Sequence, residues 1–346
     1  MVSPQVPHTL AEALDPAWLS AALKPVTGGA PVTAVETVEV IRTVATKVRF
    51  TAAFEGAAGG KEAFCLKGLL DVDPEMARGG PVTVLEADFY GKLASQLTVR
   101  VPDCAASVID REAQFAVVIM RDLIAQGAQF CTALEAFSAD QAAESLEQIA
   151  RLHSACALLG ETPWVRRRVA DLARAQYVPL PLLQEMLHGP RGEGLPDRTR
   201  DAGLLMEALK ALAARDEAGP QVLVHGDSHA GNIFRTADGP GLIDWQLLQR
   251  GGWALDVAYH IGAVLPVEIA EREERALLSH YLGAAARLGC EVPRAESAWA
   301  QYRAAAVYGY YLWSITRRVD PAIINVFVGR LGAAVTRHDS YRLLGI

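Results

Sequence analysis

The stretch Val222-Leu-Val-His-Gly-Asp-Ser-His-Ala-Gly-Asn-Ile-Phe234, followed shortly by Gly241-Leu-Ile-Asp-Trp-Gln246, decides the reading of this chain. A short apolar strand delivers a polar loop, a second strand leaves it, and a third strand is expected to end on Asp244. The loop sets a carboxylate, Asp227, ahead of an amide, Asn232, and the hairpin that follows brings a second carboxylate, Asp244. Phosphoryl transfer needs such a set: one carboxylate to orient an attacking hydroxyl and accept its proton, and oxygen ligands for the Mg²⁺ that bridges the phosphates. A zinc site would use more His or Cys. The plainer reading makes His225, Asp227 and His229 loop-forming polar residues between buried strands. The strands on both sides and the strand-terminal Asp244 weigh against it.

Asp227 and Asn232 are spaced as the Asp and Asn of the kinase loop H-R-D-x-x-x-x-N, with His225 two residues before the Asp. His225-Gly-Asp-Ser-His-Ala-Gly-Asn232, Ile243-Asp-Trp-Gln246 and Asp256-Val-Ala258 resemble the aminoglycoside phosphotransferase and choline kinase superfamily. The Asp-Trp-Gln variant is most similar to its ecdysteroid-kinase-like branch. The resemblance is specific over residues 222–260 and looser over 63–160. It implies catalysis at Asp227, metal binding at Asn232 and Asp244, a histidine at His229, and hydrogen bonds from Asp256 that brace the loop. For His229, loop organisation is the favoured role over direct catalysis, since a neutral histidine commonly satisfies a buried backbone group.

A kinase also needs a cation on the triphosphate, held by a carboxylate. Lys67 lies in the apolar run Ala63-Phe-Cys-Leu-Lys-Gly-Leu-Leu70, where an unpaired ammonium is costly to bury. Glu86 is its natural partner, while Lys61 sits at a turn and Asp88 points off that helix face. The alternative is a lysine that snorkels from a half-exposed strand. The helix signature Glu86-Ala-Asp-Phe-Tyr90 is similar to that of the same branch. By the same resemblance adenine lies against Met120-Arg-Asp-Leu123, with backbone groups of Arg121 and Leu123 as the base contacts. The turn Ile41-Arg-Thr-Val-Ala-Thr-Lys47 has no glycine, although close approach to phosphates favours one. Thr43, Thr46 and backbone amides are the expected substitutes.

Outward from these motifs, Thr9 with Glu12 makes a capping box and Asp15-Pro16 a capped helix start. Strand-like runs follow at 32–40, 47–55 and 62–70, with Gly56 and Gly59-Gly60 turning the last two. A helical pattern covers 81–97, with Glu86, Tyr90, Leu93 and Leu97 on one face, and two further strands fall at 104–109 and 115–120. Ser138 and Gln141 cap a helix to about Leu159, and helical patterns recur at 201–215, 253–264, 268–288, 296–318 and 321–338. Residues 178–200, rich in Pro, Gly and charge, read as a surface insertion. The expected architecture is α+β, a two-lobed protein-kinase-like fold. Residues 1–122 would form an N-lobe with a five-stranded antiparallel sheet and one main helix, and 123–346 a mainly helical C-lobe.

The 346 residues are enough for two domains, and 51% hydrophobic with 21% charged residues is a globular composition. A net charge of −7 without a basic block sets nucleic acid aside as a partner. Five widely spaced cysteines, the absence of Lys or Arg before Lys24 and the lack of a long apolar run together lead us to expect a cytoplasmic protein without a membrane span. The leading function is ATP- and Mg-dependent transfer to a small-molecule hydroxyl. A pseudokinase would have lost Asp227, Asn232 or Asp244. A protein kinase would need a longer segment between Asp244 and Gly251-Gly252. Residues 247–346 hold nine Asp and Glu against eleven Arg, which disfavours a polycationic aminoglycoside and favours a neutral or anionic, partly apolar alcohol. Aromatic residues at helical spacing (Trp299, Tyr302, Tyr308, Tyr310, Tyr311, Trp313), with Arg317-Arg318 after them, are read mostly as core, some of them reaching the cleft.

Overall fold

The computed structural model describes residues 4–42, 45–56 and 60–346; Thr43 and Gly59 lie outside them. The chain divides into two compact units, one from Met1–Leu97, Val101–Gln129 and Ile243–Gln246, the other from Thr98–Arg100, Phe130–Leu242 and Leu247–Ile346.

The first unit is built on an antiparallel sheet of β1 (Val32–Arg42), β2 (Thr46–Phe54), β3 (Lys61–Gly68), β4 (Cys104–Asp110) and β5 (Phe115–Arg121), in the order β1-β2-β3-β5-β4. β2 alternates strictly between buried and half-buried residues, so one face of the sheet carries Val48, Phe50, Phe64, Leu66 and Ile119 into a core closed by Leu19 and Leu23 from the N-terminal helices. Those helices begin where their caps dictate: Thr9 and Glu12 form the reciprocal box, and the Asp15 carboxylate accepts from the amides of Ala17 and Trp18. On the other face lies α1 (Gly80–Asp88). The Thr83 hydroxyl accepts the Ala116 amide at 3.1 Å, and the Ser107 hydroxyl donates to the Ala87 carbonyl at 2.8 Å. Past Asp88 the helix widens to a π turn (Phe89–Leu93) and tightens to a 3-10 turn (Ala94–Gln96). The even helix expected over 81–97 is therefore broken after its first two turns. Buried Tyr90 and Leu93 remain on the inner side with Glu86.

The second unit is mainly helical: α2 (Ala139–His153), α3 (Ala202–Ala218), α4 (Ala254–Val264), α5 (Val267–Arg287), α6 (Ala295–Ile315) and α7 (Pro321–His338). α4 is buried along its whole length, as its nearly continuous apolar sequence requires. Two short antiparallel pairs interrupt the helices: β6 (Val222–Val224) with β9 (Gln249–Gly251), and β7 (Ile233–Thr236) with β8 (Gly239–Leu242). β8 ends at Leu242, so Asp244 is not strand-terminal. It sits two residues on at a φ of +63°, a left-handed conformation that Asp tolerates better than most residues.

The surface insertion expected at 178–200 is instead packed. A helix spans Leu180–His188, and Val178, Leu183, Leu187, Leu195 and Thr199 are buried. The prolines and glycines there start and stop short helices. Among the described residues no helix is long and apolar enough to cross a membrane.

Candidate active site

The loop between β6 and β7 is held by α4. Asp256, in the first turn of that helix, takes the His225 amide on Oδ2 at 2.7 Å and the Gly226 amide on Oδ1 at 2.9 Å. His153 Nε2 adds a third contact to Oδ2 at 3.1 Å, and the Tyr281 hydroxyl meets His153 Nδ1 at 2.7 Å, which leaves Nε2 carrying the proton. Burial alone would raise the Asp256 carboxyl. The hydrogen bond from His153, with the nearby His225 and the Gly226 amide, outweighs burial and holds it below the ordinary range. The Ser228 hydroxyl donates to the Asp256 carbonyl, His260 Nδ1 to the Ser228 carbonyl, and the Tyr308 hydroxyl to the Gly226 carbonyl. Gly226 itself has a φ of +81°, and a Cβ there would lie 2.3 Å from the Leu247 carbonyl oxygen. Only glycine lets the chain turn so close to the Leu247 backbone. The bracing that the resemblance implies for Asp256 is present in full.

These restraints converge on Asp227. Its Oδ1 accepts the Tyr259 hydroxyl at 2.9 Å and its Oδ2 accepts Asn232 Nδ2 at 2.9 Å, with His229 Nε2 at 3.5 Å from the same oxygen. Burial pushes its carboxyl up, but His229, His225 and the Tyr259 hydroxyl pull it down to about 2, so Asp227 is a carboxylate at neutral pH. Asn232 Nδ2 also donates to the Asp227 carbonyl at 2.9 Å. With the amide nitrogen turned inward, the Asn232 oxygen is the atom left to bind something else. His229 caps the 3-10 turn at Ala230–Asn232, its Nδ1 accepting the Gly231 amide at 3.0 Å. His225 is fully buried, and its Nδ1 accepts the Asp227 amide at 3.2 Å. Both histidines thus hold the loop's backbone.

The first unit gathers a second cluster. Lys67 Nζ stands 2.8 Å from Glu86 and 2.9 Å from Asp244. Glu86 also accepts the Trp245 amide at 3.3 Å, and the Trp245 ring stacks on Phe89 at 3.8 Å. Burial disfavours the Lys67 ammonium, but Asp244 and Glu86 together outweigh it and hold the lysine charged. Glu86 is raised by burial, an effect that Lys67 opposes and Asp244 adds to. Truncating one member of such a pair typically costs about 3–5 kcal/mol, because the other is left buried and unmatched. Lys47 faces Lys67 directly across β2 and β3, and directly opposed residues share a face of the sheet.

One expectation for the nucleotide side needs correction. The Thr46 hydroxyl is buried and donates to the Leu70 carbonyl at 2.9 Å, so its proton is not available to a phosphate. Arg121 donates its amide to the Asp103 carbonyl at 2.9 Å, and the Leu123 carbonyl accepts the amides of Gln126 and Ala128. Those two groups are engaged within the fold. The Arg121 side chain pairs with Glu62 and lies over the Phe64 ring.

The aromatic residues of α6 are core. Tyr302, Tyr308, Tyr310, Tyr311 and Trp313 are all buried, and Trp299 stacks on Tyr302. Tyr259 and Trp313 were not singled out for the site by sequence reasoning: Tyr259 bonds the Asp227 carboxylate, and Trp313 Nε1 donates to the Tyr259 hydroxyl at 2.6 Å. The available signal was the spacing of Asp256 and Tyr259, three residues apart and hence on one face of α4.

A search of the curated proteins finds no match. Among solved structures, choline kinase from Cryptosporidium parvum Iowa II is 12% identical with a TM-score of 0.52, over 96% of this chain and 93% of that one. Plasmodium vivax ethanolamine kinase is 12% identical with a TM-score of 0.51, over 89% and 82%. A choline/ethanolamine kinase family protein from Mesorhizobium loti is 16% identical with a TM-score of 0.50, over 94% and 96%. At such identities these likenesses establish the α+β kinase-like fold. The model of the phosphotransferase enzyme family matches residues 83–303, a span that takes in Glu86, the loop and Asp256, and the chain belongs to that family.

Proposed function

We propose that this phosphotransferase moves the γ-phosphate of ATP to a hydroxyl of a small molecule, and that the acceptor is a neutral or anionic, partly apolar alcohol. The observation that carries this reading is the Asp227 carboxylate, hydrogen-bonded on both oxygens and ionised. So held, it accepts the acceptor's O–H and aims the oxygen at phosphorus. The acceptor oxygen forms the new bond to the γ-phosphorus, the bond from that phosphorus to the β–γ bridging oxygen breaks, and ADP leaves. The proton passes to Asp227 late, after the hydroxyl has acidified by bonding to phosphorus. Lys67, kept charged by its two carboxylates, supplies the cation for the triphosphate.

Asn232 offers an amide oxygen and Asp244 a carboxylate, each a hard ligand of the kind magnesium prefers. Magnesium, when bound, would neutralise charge on the phosphates. Asp-Trp-Gln246 and the Glu86 helix support a place in the ecdysteroid-kinase-like branch, and the excess of arginine over acidic residues after Leu247 supports an acceptor without multiple positive charges. The test is an acceptor screen followed by ATP consumption, setting kanamycin-type aminoglycosides against hydrophobic alcohols, sterols and hydroxyacyl thioesters. Turnover with aminoglycosides alone would refute the acceptor assignment; ATP binding without turnover on any acceptor would favour a pseudokinase.

A further inference from the structure

Trp313, on α6, and Tyr259, on α4, make a two-step hydrogen-bonded chain that ends on the Asp227 carboxylate. Its direction is fixed by chemistry. An indole nitrogen can only donate, so Trp313 Nε1 gives its hydrogen to the Tyr259 oxygen at 2.6 Å. That oxygen has a single hydrogen of its own, and Asp227 Oδ1, at 2.9 Å, receives it. Neither ring can drift. Tyr259 is fully buried, with its ring against the Gly309 backbone and edge-on to Tyr308 at 6.0 Å, and Trp313 packs on Phe327 at 4.2 Å.

The opposite oxygen of Asp227 is tied separately, by Asn232 Nδ2 at 2.9 Å. A carboxylate turns easily about its last bond when only one oxygen is held, because that torsion is broad. Tethers on both oxygens fix its plane. Tyr259 takes one lone pair of Oδ1 while Asn232 and His229 both lie on Oδ2, so the second lone pair of Oδ1 points in a set direction. An acceptor hydroxyl therefore meets a preoriented base, the condition under which positioning contributes to rate.

We infer that Tyr259 is a positioning residue for phosphoryl transfer, orienting the Asp227 carboxylate through its hydroxyl, and that Trp313, which also packs edge-on against His229 at 5.1 Å, supports Tyr259 through its indole N–H. The inference rests on the phosphotransfer reading for its kinetic consequence, but the hydrogen-bonded chain is testable without turnover. Because the chain shapes the carboxylate and not the substrate sites, its loss lowers kcat and leaves KM for ATP and acceptor nearly unchanged.

The experiment compares Tyr259→Phe and Trp313→Phe in steady-state kinetics, with thermal melting to establish folding. Expected are a fall in kcat of roughly 10- to 100-fold for Tyr259→Phe, with KM little changed, and a smaller fall for Trp313→Phe. Wild-type kcat in Tyr259→Phe would overturn the inference. A second arm records the six indole N–H resonances by ¹H–¹⁵N NMR, with Trp313 assigned by its absence in Trp313→Phe. The Trp313 signal should move in Tyr259→Phe and, through the relayed bond, in Asp227→Asn. A Trp313 signal unmoved in the folded variants would show that the chain does not exist. A wild-type protein with no turnover on any acceptor would instead defeat the phosphotransfer reading, and the NMR arm would still decide the chain.

Discussion

Replacing Gly309 by alanine should damage the site from the middle of α6. Gly309 lies within α6, and a Cβ built on it would stand 2.5 Å from Tyr259 Cδ2, 2.8 Å from Cγ and 3.2 Å from Cε2. Ordinary carbon–carbon contact is about 3.5–4.0 Å, so the ring or the helix must give by roughly 1 Å. The ring is fully buried, and the movement separates its hydroxyl from Asp227. Helix propensity alone predicts the opposite sign, a gain of about 1 kcal/mol for Gly→Ala in a helix interior. Overpacking a tight core costs about 1–3 kcal/mol, and a clash against an aromatic ring flanked by Trp313 and Tyr308 belongs at the upper end. The net expectation is a loss of about 1–2 kcal/mol, read as a lower urea midpoint at unchanged slope, together with a fall in kcat on the order of 100-fold for a displacement of 1 Å. Increased stability with wild-type kcat would refute both the close approach of α4 and α6 and the dependence of Asp227 on Tyr259.

Other outcomes follow from the same contacts. Asp244→Ala should weaken Mg²⁺-dependent ATP binding more than Asn232→Ala, because a carboxylate is the stronger ligand for a hard cation; calorimetry with and without Mg²⁺ measures this, and equal, small effects would place the metal elsewhere. His260 is fully buried, and burial pulls its imidazole down to about 4. Between pH 6.5 and 4 the unfolded chain takes up a proton that the native state refuses, so stability that is whole above pH 6.5 declines as pH falls, by about 2–3 kcal/mol at pH 4.5. Urea melts of wild type and His260→Gln at pH 7 and pH 5 check it: the variant should lose the part of the pH slope that wild type owes to this residue, and equal slopes would contradict the assignment.

What could be read from the sequence was what is local. The boxes at Thr9–Glu12 and Ser138–Gln141 form as expected because both partners lie within one turn. The five strands of the first unit declared themselves by runs rich in Val, Thr and Phe and by the apolar stretch Phe115–Met120, and the loop from His225 to Asn232 by its spacing. The Lys67–Glu86 pair was legible because an ammonium in an apolar strand demands a carboxylate, and Glu86 lay on the inward face of the next helix. What escaped depends on groups brought together through space. Trp313 is 54 residues from the hydroxyl it bonds, and nothing in its helix distinguishes it from the buried tyrosines around it. The π turn at Phe89–Leu93 and the left-handed Asp244 are backbone features that tertiary contacts select. Ile243–Gln246 belongs to the first unit while its flanks belong to the second, an arrangement that no reading by contiguous segments yields. The packed helix at Leu180–His188 was missed because its flanking prolines and glycines mark turns as readily as helix ends.

The most direct test of the central claim is the transfer of label from [γ-³²P]ATP to an acceptor found by the screen, in wild type and in Asp227→Asn, with ATP affinity measured in parallel. Asparagine is nearly isosteric with aspartate but cannot take the proton or present an anion to the hydroxyl. The account predicts that wild type labels the acceptor, that Asp227→Asn does not, and that the variant binds ATP nearly as tightly as wild type. An Asp227→Asn protein that labels the acceptor at the wild-type rate would remove Asp227 from the chemistry and contradict the account.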